Sequence, residues 1–296
     1  MIRTALVLSL VFSPLLLAAE KAKPPAGPIQ YGQGRELCKL ANQEVDESSG
    51  VACSRLNRGV FWTHNDSGDP ARIFAFNAKG EDLGTFELEG ATNLDWEDMA
   101  SFTLNGKAHL LVADVGDNAE WRETYALYFV QEPRLDPAKR GVRGKLEAMC
   151  MAFRYEDGSR NCEAVGVDAT TRTILLIAKV PGPETKVYAL SLPKEPHREP
   201  VVAKAIATLK IPTVTAMDVS PDGLRAIVLT YGNAFEFTRR PDEKWSDAFA
   251  REPRTLVMPP RRQGEAISYG PDGKTLYLTS EGKPAPFYEV PVQRDE

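Results

Sequence analysis

Histidine is scarce in this 296-residue chain, which holds only His64, His109 and His197, and no HExxH, GxSxG or GxxxxGK[ST] string occurs in it. The commonest zinc-protease, serine-hydrolase and P-loop readings therefore lose their sequence support. Positive charge is not in surplus either, since 36 Lys and Arg stand against 41 Asp and Glu, a formal charge of −5. A nucleic-acid binder would carry a clustered basic excess, so nucleic acid is excluded as a partner. Long helical periodicity is absent, and the one long apolar run, Ala5 to Leu17, lies at the N-terminus. What is present is globular: 43% hydrophobic against 26% charged residues supplies a large core and gives no case for wholesale disorder.

The apolar run follows Met1-Ile2-Arg3, ends in Leu17-Ala18-Ala19 and precedes Glu20 and Lys21. This pattern predicts a signal peptide over 1–19, cleaved near Ala19. The run is short for a membrane span and is broken by Pro14. No cysteine stands at the cleavage site for lipid anchoring. A flexible leader is expected over 20–34 and a single domain over 35–296, monomeric, periplasmic or secreted, with no membrane span in the mature protein. Four cysteines remain, Cys38, Cys53, Cys150 and Cys162. In an oxidising compartment an even count favours two disulfides over a metal cluster. Three pairings are open, and local closure suggests 38 with 53 and 150 with 162. Neither spacing matches a CxxC zinc pattern.

The body of the chain reads as short β-strands between turn signals. The clearest are 60–62, 73–76, 110–112, 126–130, 174–177, 187–190, 226–229 and 276–278. Pro221-Asp222-Gly223 and Pro271-Asp272-Gly273 sit between paired apolar runs, as hairpin turns. Counting back from the two glycines aligns Thr215-Ala216-Met217 with Glu265-Ala266-Ile267, and Ser49-Gly50-Val51, Glu97-Asp98-Met99 and Glu163-Ala164-Val165 share that start. One polar residue opens each short strand, at a spacing of about 50 residues, the scale of a four-stranded propeller blade. Five starts predict an all-β, five-bladed β-propeller. After Glu265 only three strands fit, so the N-terminal segment Glu36–Leu40 is expected to supply the fourth and close the ring. The long second repeat keeps a six-bladed ring as the alternative.

In a propeller the innermost strand of each blade lines the central channel, so Ser49, Glu97, Glu163, Thr215 and Glu265 are expected to form a ring near one rim. Three converging carboxylates repel one another unless a cation neutralises them, and an all-oxygen donor set favours Ca²⁺ over zinc or copper. Loops returning to that rim carry His64-Asn65-Asp66-Ser67-Gly68-Asp69 with Arg72, Asp114-Val115-Gly116-Asp117-Asn118 with Trp121 and Arg122, then Lys179, Tyr231-Gly232-Asn233 and Ser280-Glu281-Gly282-Lys283. Each string alone also reads as an ordinary turn. Together they predict a cup in which Asp66, Asp114 or Asp117 orients or deprotonates a water. In the same cup Asn65, Arg72, Asn118, Arg122, Lys179 and Tyr231 would hold an anionic group beside the metal. His64 reads either as an acid–base group or as a hydrogen-bonded structural residue.

The strings Trp62-Thr63-His64-Asn65-Asp66-Ser67-Gly68-Asp69, Asp95-Trp96-Glu97-Asp98, Gly116-Asp117-Asn118 and Gln263-Gly264-Glu265-Ala266 resemble a family of exported bacterial β-propeller proteins without a settled activity. The resemblance covers most of the mature chain, and that family's Asp-Ala-Glu-Ala segment stands here as Asn161-Cys162-Glu163-Ala164, with one acid fewer. More remotely, the Ser, Glu, Glu, hydroxyl, Glu order is similar to the calcium-activated nucleotidases, or apyrases. That likeness implies a five-bladed propeller with a central Ca²⁺ whose shell would be Ser49, Glu97, Glu163, Thr215 and Glu265. Nucleotide-contacting residues do not match, so a nucleotide substrate is not implied.

Three functions are carried forward. The first is a calcium-dependent hydrolase of a phosphate ester or phosphoanhydride, with an anionic small molecule as substrate. The second is a non-catalytic propeller with a structural metal and an envelope ligand, and the weakest is a calcium-dependent lactonase or esterase.

Overall fold

The computed structural model describes residues 29–193 and 199–293. The predicted signal peptide and most of the predicted leader lie outside the described residues. The chain is all-β and propeller-like: among the described residues twenty strands are joined by turns, with one short helix, α1 (Trp245–Phe249). After β1 (Arg35–Lys39) the strands run as antiparallel meanders. The first is β2 (Ser48–Cys53), β3 (Val60–Asn65), β4 (Arg72–Asn77) and β5 (Asp82–Glu89). The second is β6 (Trp96–Leu104), β7 (Lys107–Asp114), β8 (Tyr125–Gln131) and β9 (Val142–Tyr155). The third is β10 (Cys162–Asp168), β11 (Thr173–Ala178), β12 (Thr185–Ser191) and β13 (Val201–Leu209). The fourth is β14 (Val214–Val219), β15 (Arg225–Thr230), β16 (Ala234–Thr238) and β17 (Arg254–Leu256). The last three strands, β18 (Ala266–Tyr269), β19 (Leu276–Thr279) and β20 (Pro286–Val290), are joined on their outer edge by β1, antiparallel to β20.

All eight segments expected as strands lie within observed ones, because each is a short apolar run bounded by turn residues. Central strands such as Thr173–Ala178 and Arg225–Thr230 are buried at every position but the first. Both faces of each sheet are packed by neighbours, so these strands read as continuous apolar runs rather than alternating ones. The Pro-Asp-Gly turns close β14 to β15 and β18 to β19. Gly223 and Gly273 take φ of 67° and 66°, and their N–H groups donate to Ser220 and Gly270 carbonyls at 2.8 Å. A side chain in that left-handed region would be strained. The second repeat is long because β9 runs 14 residues: its first half pairs parallel with β5 and its second half antiparallel with β8.

Hydrophobic clusters lie between consecutive sheets. Trp62 and Ile73 pack with Met99 and Leu110, Leu111 and Leu127 with Val165 and Leu176, Leu175 and Ile177 with Met217 and Val228, and Ile227 with Ile267 and Leu278. Phe287 and Ala266 then pack against Val51, Phe61 and Phe74 of the first meander. Burying such side chains contributes roughly 1.5–3 kcal/mol each.

The inner strands β2, β6, β10, β14 and β18 contact one another in that order, and β18 contacts β2. Small residues permit this approach: a Cβ on Gly50 would lie 2.9 Å from the Met99 nitrogen, and one on Gly166 2.9 Å from Val219 Cγ2. These strands diverge too far to share ladders, and side chains tie them instead. The buried Asp98 carboxylate accepts N–H bonds from Met99 and Val165 at 2.8 Å and Met217 at 3.2 Å, joining β6 to β10 and β14. Asp218 accepts from Val219 and Tyr269 N–H groups at 2.8 Å and from the Ser268 hydroxyl at 3.0 Å.

The cysteine expectation is corrected. Cys38, Cys53, Cys150 and Cys162 are all free thiols. Cys53 sits in β2 and Cys162 in β10, both inner strands whose buried side chains fill space between sheets, whereas Cys38 and Cys150 lie in β1 and β9. Closure along the sequence was a poor guide because meander topology sends residues 12 or 15 apart to different strands.

Burial raises the Asp218 carboxyl to about 6, with Arg55 opposing. A folded value above the unfolded one of about 3.9 means that ionisation costs stability, and that this cost sets in as pH rises from about 4 to about 6. The stability advantage of wild type over Asp218→Asn is expected to shrink by about 3 kcal/mol across that window and stay flat above it. Urea unfolding at each pH measures this, and a constant difference would refute it.

Candidate metal centre at the axial rim

The sequence register corresponds to a repeated backbone irregularity. Pairing shifts between Ser48 and Gly50, Trp96 and Asp98, Cys162 and Ala164, and Val214 and Ala216. The residue skipped in each case is Ser49, Glu97, Glu163 or Thr215, and Glu265 stands just before the first pair of β18. A β-bulge leaves one residue out of the ladder and re-aims its side chain.

All five residues are buried, at 7% exposure or less, yet they meet different partners. The Ser49 hydroxyl donates to the Glu97 carbonyl at 3.0 Å and the Thr215 hydroxyl to the Gly264 carbonyl at 2.9 Å, each tying one inner strand to the next. Glu163 takes a 2.6 Å ion pair from Lys179, whose ammonium also donates to the Tyr231 hydroxyl at 2.8 Å, and Tyr231 in turn donates to Glu265 at 2.8 Å. One half of the rim therefore carries its own cation. Burial holds Glu163 up at about 7 against the pull of Lys179. Glu281 is likewise raised to about 7 by burial and by its neighbour Glu265.

Among the described residues the other half has no cation paired with its carboxylates in this way. Single oxygens of Asp66, Asp95 and Glu97 lie within 4.8 Å of one another, an arrangement that can hold a metal ion. Glu97 is 5% exposed, and among the described residues no hydrogen-bond donor reaches its carboxylate. Burial, then Glu163, Asp66 and Asp95, push its carboxyl far above the usual range. Asp95 rises to about 6 through burial and Asp66, with Arg122 opposing. Gly116 closes the pocket from the side: a Cβ there would collide with Glu97 Oε1 and Asp95 Oδ2.

The loop residues divide in the same way. Asp66 joins the cluster. Asp114 is buried in a 2.7 Å ion pair with Arg122. Asp117 accepts from the Trp121 and Arg122 N–H groups at 3.0 and 2.8 Å and from the Tyr125 hydroxyl at 2.9 Å. Burial would raise Asp117, but these three bonds hold it below the usual carboxylate value. Its geometry is that of a loop-closing acceptor. Arg72 is gripped by both oxygens of Asp69, at 2.9 and 2.7 Å, and by Glu44 at 2.9 Å. The Asn65 amide is spent on backbone groups of Glu44, Asp46 and Glu47. Asn118 accepts from Asn161, which also accepts from the Asp117 N–H at 2.8 Å and reaches Glu163 at 3.4 Å.

His64 is fully buried, its Nδ1 on the Asn65 carbonyl at 2.9 Å and its ring edge-on to Trp96 at 5.6 Å. Burial lowers its pKa, leaving a neutral ring packed inside the protein.

Sequence reasoning missed Asp95 and Gly116 as site residues. The signal was there in the acid-dense Asp95-Trp96-Glu97-Asp98 string, whose first and third residues fall to the rim while Asp98 turns to the axis. Asn161 links the Asp117 loop to Glu163.

The rim of this all-β, propeller-like chain thus holds an acidic cluster able to take a metal. No family model matches the sequence, and no curated protein matches it. Among solved structures, the glutaminyl cyclase of Myxococcus xanthus is similar, at 10% identity over 90% of this chain and 100% of that one, with a TM-score of 0.49.

Lys179→Met removes the ammonium between Glu163 and Tyr231 and is expected to cost about 2 kcal/mol, a value reduced from that of a fully buried pair because the lysine is partly exposed. Glu163→Gln in the same chain should recover part of the loss. A double-mutant cycle by urea unfolding measures the coupling, and strict additivity would refute it.

Proposed function

We propose that this chain is a five-bladed β-propeller, closed by β1, that binds a divalent cation at its axial rim and presents that cation to an oxygen-rich ligand. The observation that carries this reading is the Glu97 side chain, 5% exposed, without a hydrogen-bond donor among the described residues and with carboxylate oxygens of Asp66 and Asp95 close by. Buried like charges of this kind are stable only when protonated or neutralised by a cation. Carboxylate oxygens alone favour Ca²⁺, with Mg²⁺ second, over softer metals. Asp66, Asp95 and Glu97 would hold the ion. The wider ring of Ser49, Glu163, Thr215 and Glu265 contributes its position, since the two hydroxyls donate to carbonyls and Glu163 has Lys179. Bound there, the ion would supply Lewis acidity and fixed coordination sites for ligand oxygens. Export to the periplasm or beyond, directed by the N-terminal segment, belongs to the same proposal.

Binding is favoured over turnover because Arg72 and Arg122, the side chains expected to hold a phosphate, are already paired with Asp69, Glu44 and Asp114. Hydrolysis of a phosphate ester or phosphoanhydride is the second reading. It draws on Lys179 beside Glu163, a carboxyl raised to about 7 and so suited to proton transfer near neutral pH. In that reading Asp66 holds the ion rather than acting as base.

After EDTA dialysis and calcium reloading, the wild-type chain is expected to retain near-stoichiometric calcium, and Glu97→Gln to bind at least about tenfold more weakly, a change of about 1.4 kcal/mol. Metal analysis and calorimetry measure both. Equal binding by the variant, or none by wild type with its fold intact, would overturn the site. Turnover on a panel of phosphomonoesters, diphosphates and nucleotides, lost in Glu97→Gln, would establish the second reading over the first.

A further inference from the structure

Of the four tryptophans, Trp62, Trp96 and Trp245 are buried at 4% exposure or less and donate their indole N–H to Glu132, the Thr92 carbonyl and Asp168. Trp121 is 84% exposed, and its indole N–H meets no acceptor among the described residues. It is not on a loose end. Its backbone N–H donates to Asp117, and Arg122 beside it pairs with Asp114, donates to the Gly116 carbonyl at 2.8 Å and lies over the Tyr125 ring. Gly116 is the residue that touches Asp95 and Glu97. One braced loop therefore joins the indole to the acidic cluster. Leu94, next to Asp95 in the chain, is 63% exposed while its N–H is fixed by Asp114. Two large exposed apolar side chains are thus carried by the segments that hold the cluster, and exposed apolar groups gathered together mark an interaction site.

Charge selects the ligand. A divalent cation on Asp66, Asp95 and Glu97 leaves that trio with residual negative charge, and Arg72, Arg122 and Lys179 are each paired within the chain. None of these three bases is left to hold an anion. A sugar ring matches the groups that remain: an apolar C–H face for the indole, and hydroxyls that ligate a hard cation and donate to carboxylates and amides. We propose that this rim binds a neutral oligosaccharide, one ring stacked on Trp121 and its hydroxyls shared between the cation and the Asp66, Asp95 and Asn118 side chains. This rests on the proposed cation site.

Purified chain is titrated with cellohexaose, chitohexaose and mannohexaose in saturating calcium and again in EDTA, followed by tryptophan fluorescence and calorimetry. At least one sugar is expected to bind in calcium and shift the emission, with binding lost in EDTA. Trp121→Ala, an exposed change that should leave the unfolding midpoint unmoved, is expected to weaken sugar binding at least about tenfold while keeping calcium affinity. Glu97→Gln should lose both. Calcium binding without any sugar binding, or equal sugar binding by Trp121→Ala, overturns the proposal and leaves the cation site standing. Sugar binding that survives EDTA and needs Trp121 keeps the stacking site and overturns the cation's part in it. Binding of an arginine- and lysine-rich peptide to the calcium-free chain, with no sugar bound, assigns the rim to a cationic ligand and overturns the proposal.

Discussion

The structure depends on how its innermost strands are satisfied. Strands that radiate from an axis diverge from their counterparts in the next sheet, so their backbone N–H groups cannot all be paired by ladders, and each one left dry would cost about 1–3 kcal/mol. Asp98 and Asp218 meet this demand, each accepting bonds from its own strand and its neighbours. Hydroxyls of Ser49, Ser101 and Thr215 add single bonds to carbonyls of the adjacent strand. The meanders are held as one body by polar side chains at the axis as well as by the apolar clusters between sheets.

The same device produces the rim. A bulge at the start of four of the five inner strands takes one residue out of pairing and turns it to the rim, Glu265 stands just before the fifth, and the residue in each place is an acid or a hydroxyl. Neighbouring side chains then decide the role of each. Where Lys179 and Tyr231 reach in, Glu163 and Glu265 are tied into an ion-paired chain. Where no base among the described residues reaches in, Glu97 is left with Asp95 and Asp66, three carboxylates brought together in an arrangement that can hold a cation. The carboxylates are brought this close by burial, by a glycine at Gly116, where a Cβ would collide with Glu97 and Asp95, and by a braced loop behind them.

Much of the fold was legible in the chain. Apolar runs of four or five residues, Pro-Asp-Gly turns and a recurring polar start identified the strands and their period, since these are local signals of a sheet buried on both faces. The bulge residues were found by register alone. Glu163 and Glu97 occupy equivalent positions, and nothing near either in sequence says that one will have a lysine and the other will not. Lys179 lies at the end of the next strand, so the pairing follows from meander geometry. Arg72 and Arg122 were legible as basic groups near the rim, but the Arg72 fork closes on the turn residue Asp69 and Arg122 pairs with Asp114 at the end of β7, captures that depend on loop conformation.

The sequence by itself determined the all-β class, the strand positions, the repeat and the identity of the side chains brought to the bulges, because each is written in short-range pattern. Tertiary structure alone decided which charges meet. It kept the four thiols apart, withdrew two arginines into ion pairs, brought Asp66 and Asp95 to Glu97, and set Trp121 outward on a loop anchored to that cluster. Coulombic and hydrogen-bond energies depend on distances of a few ångströms between residues remote in the chain, and only the packed sheets fix those distances.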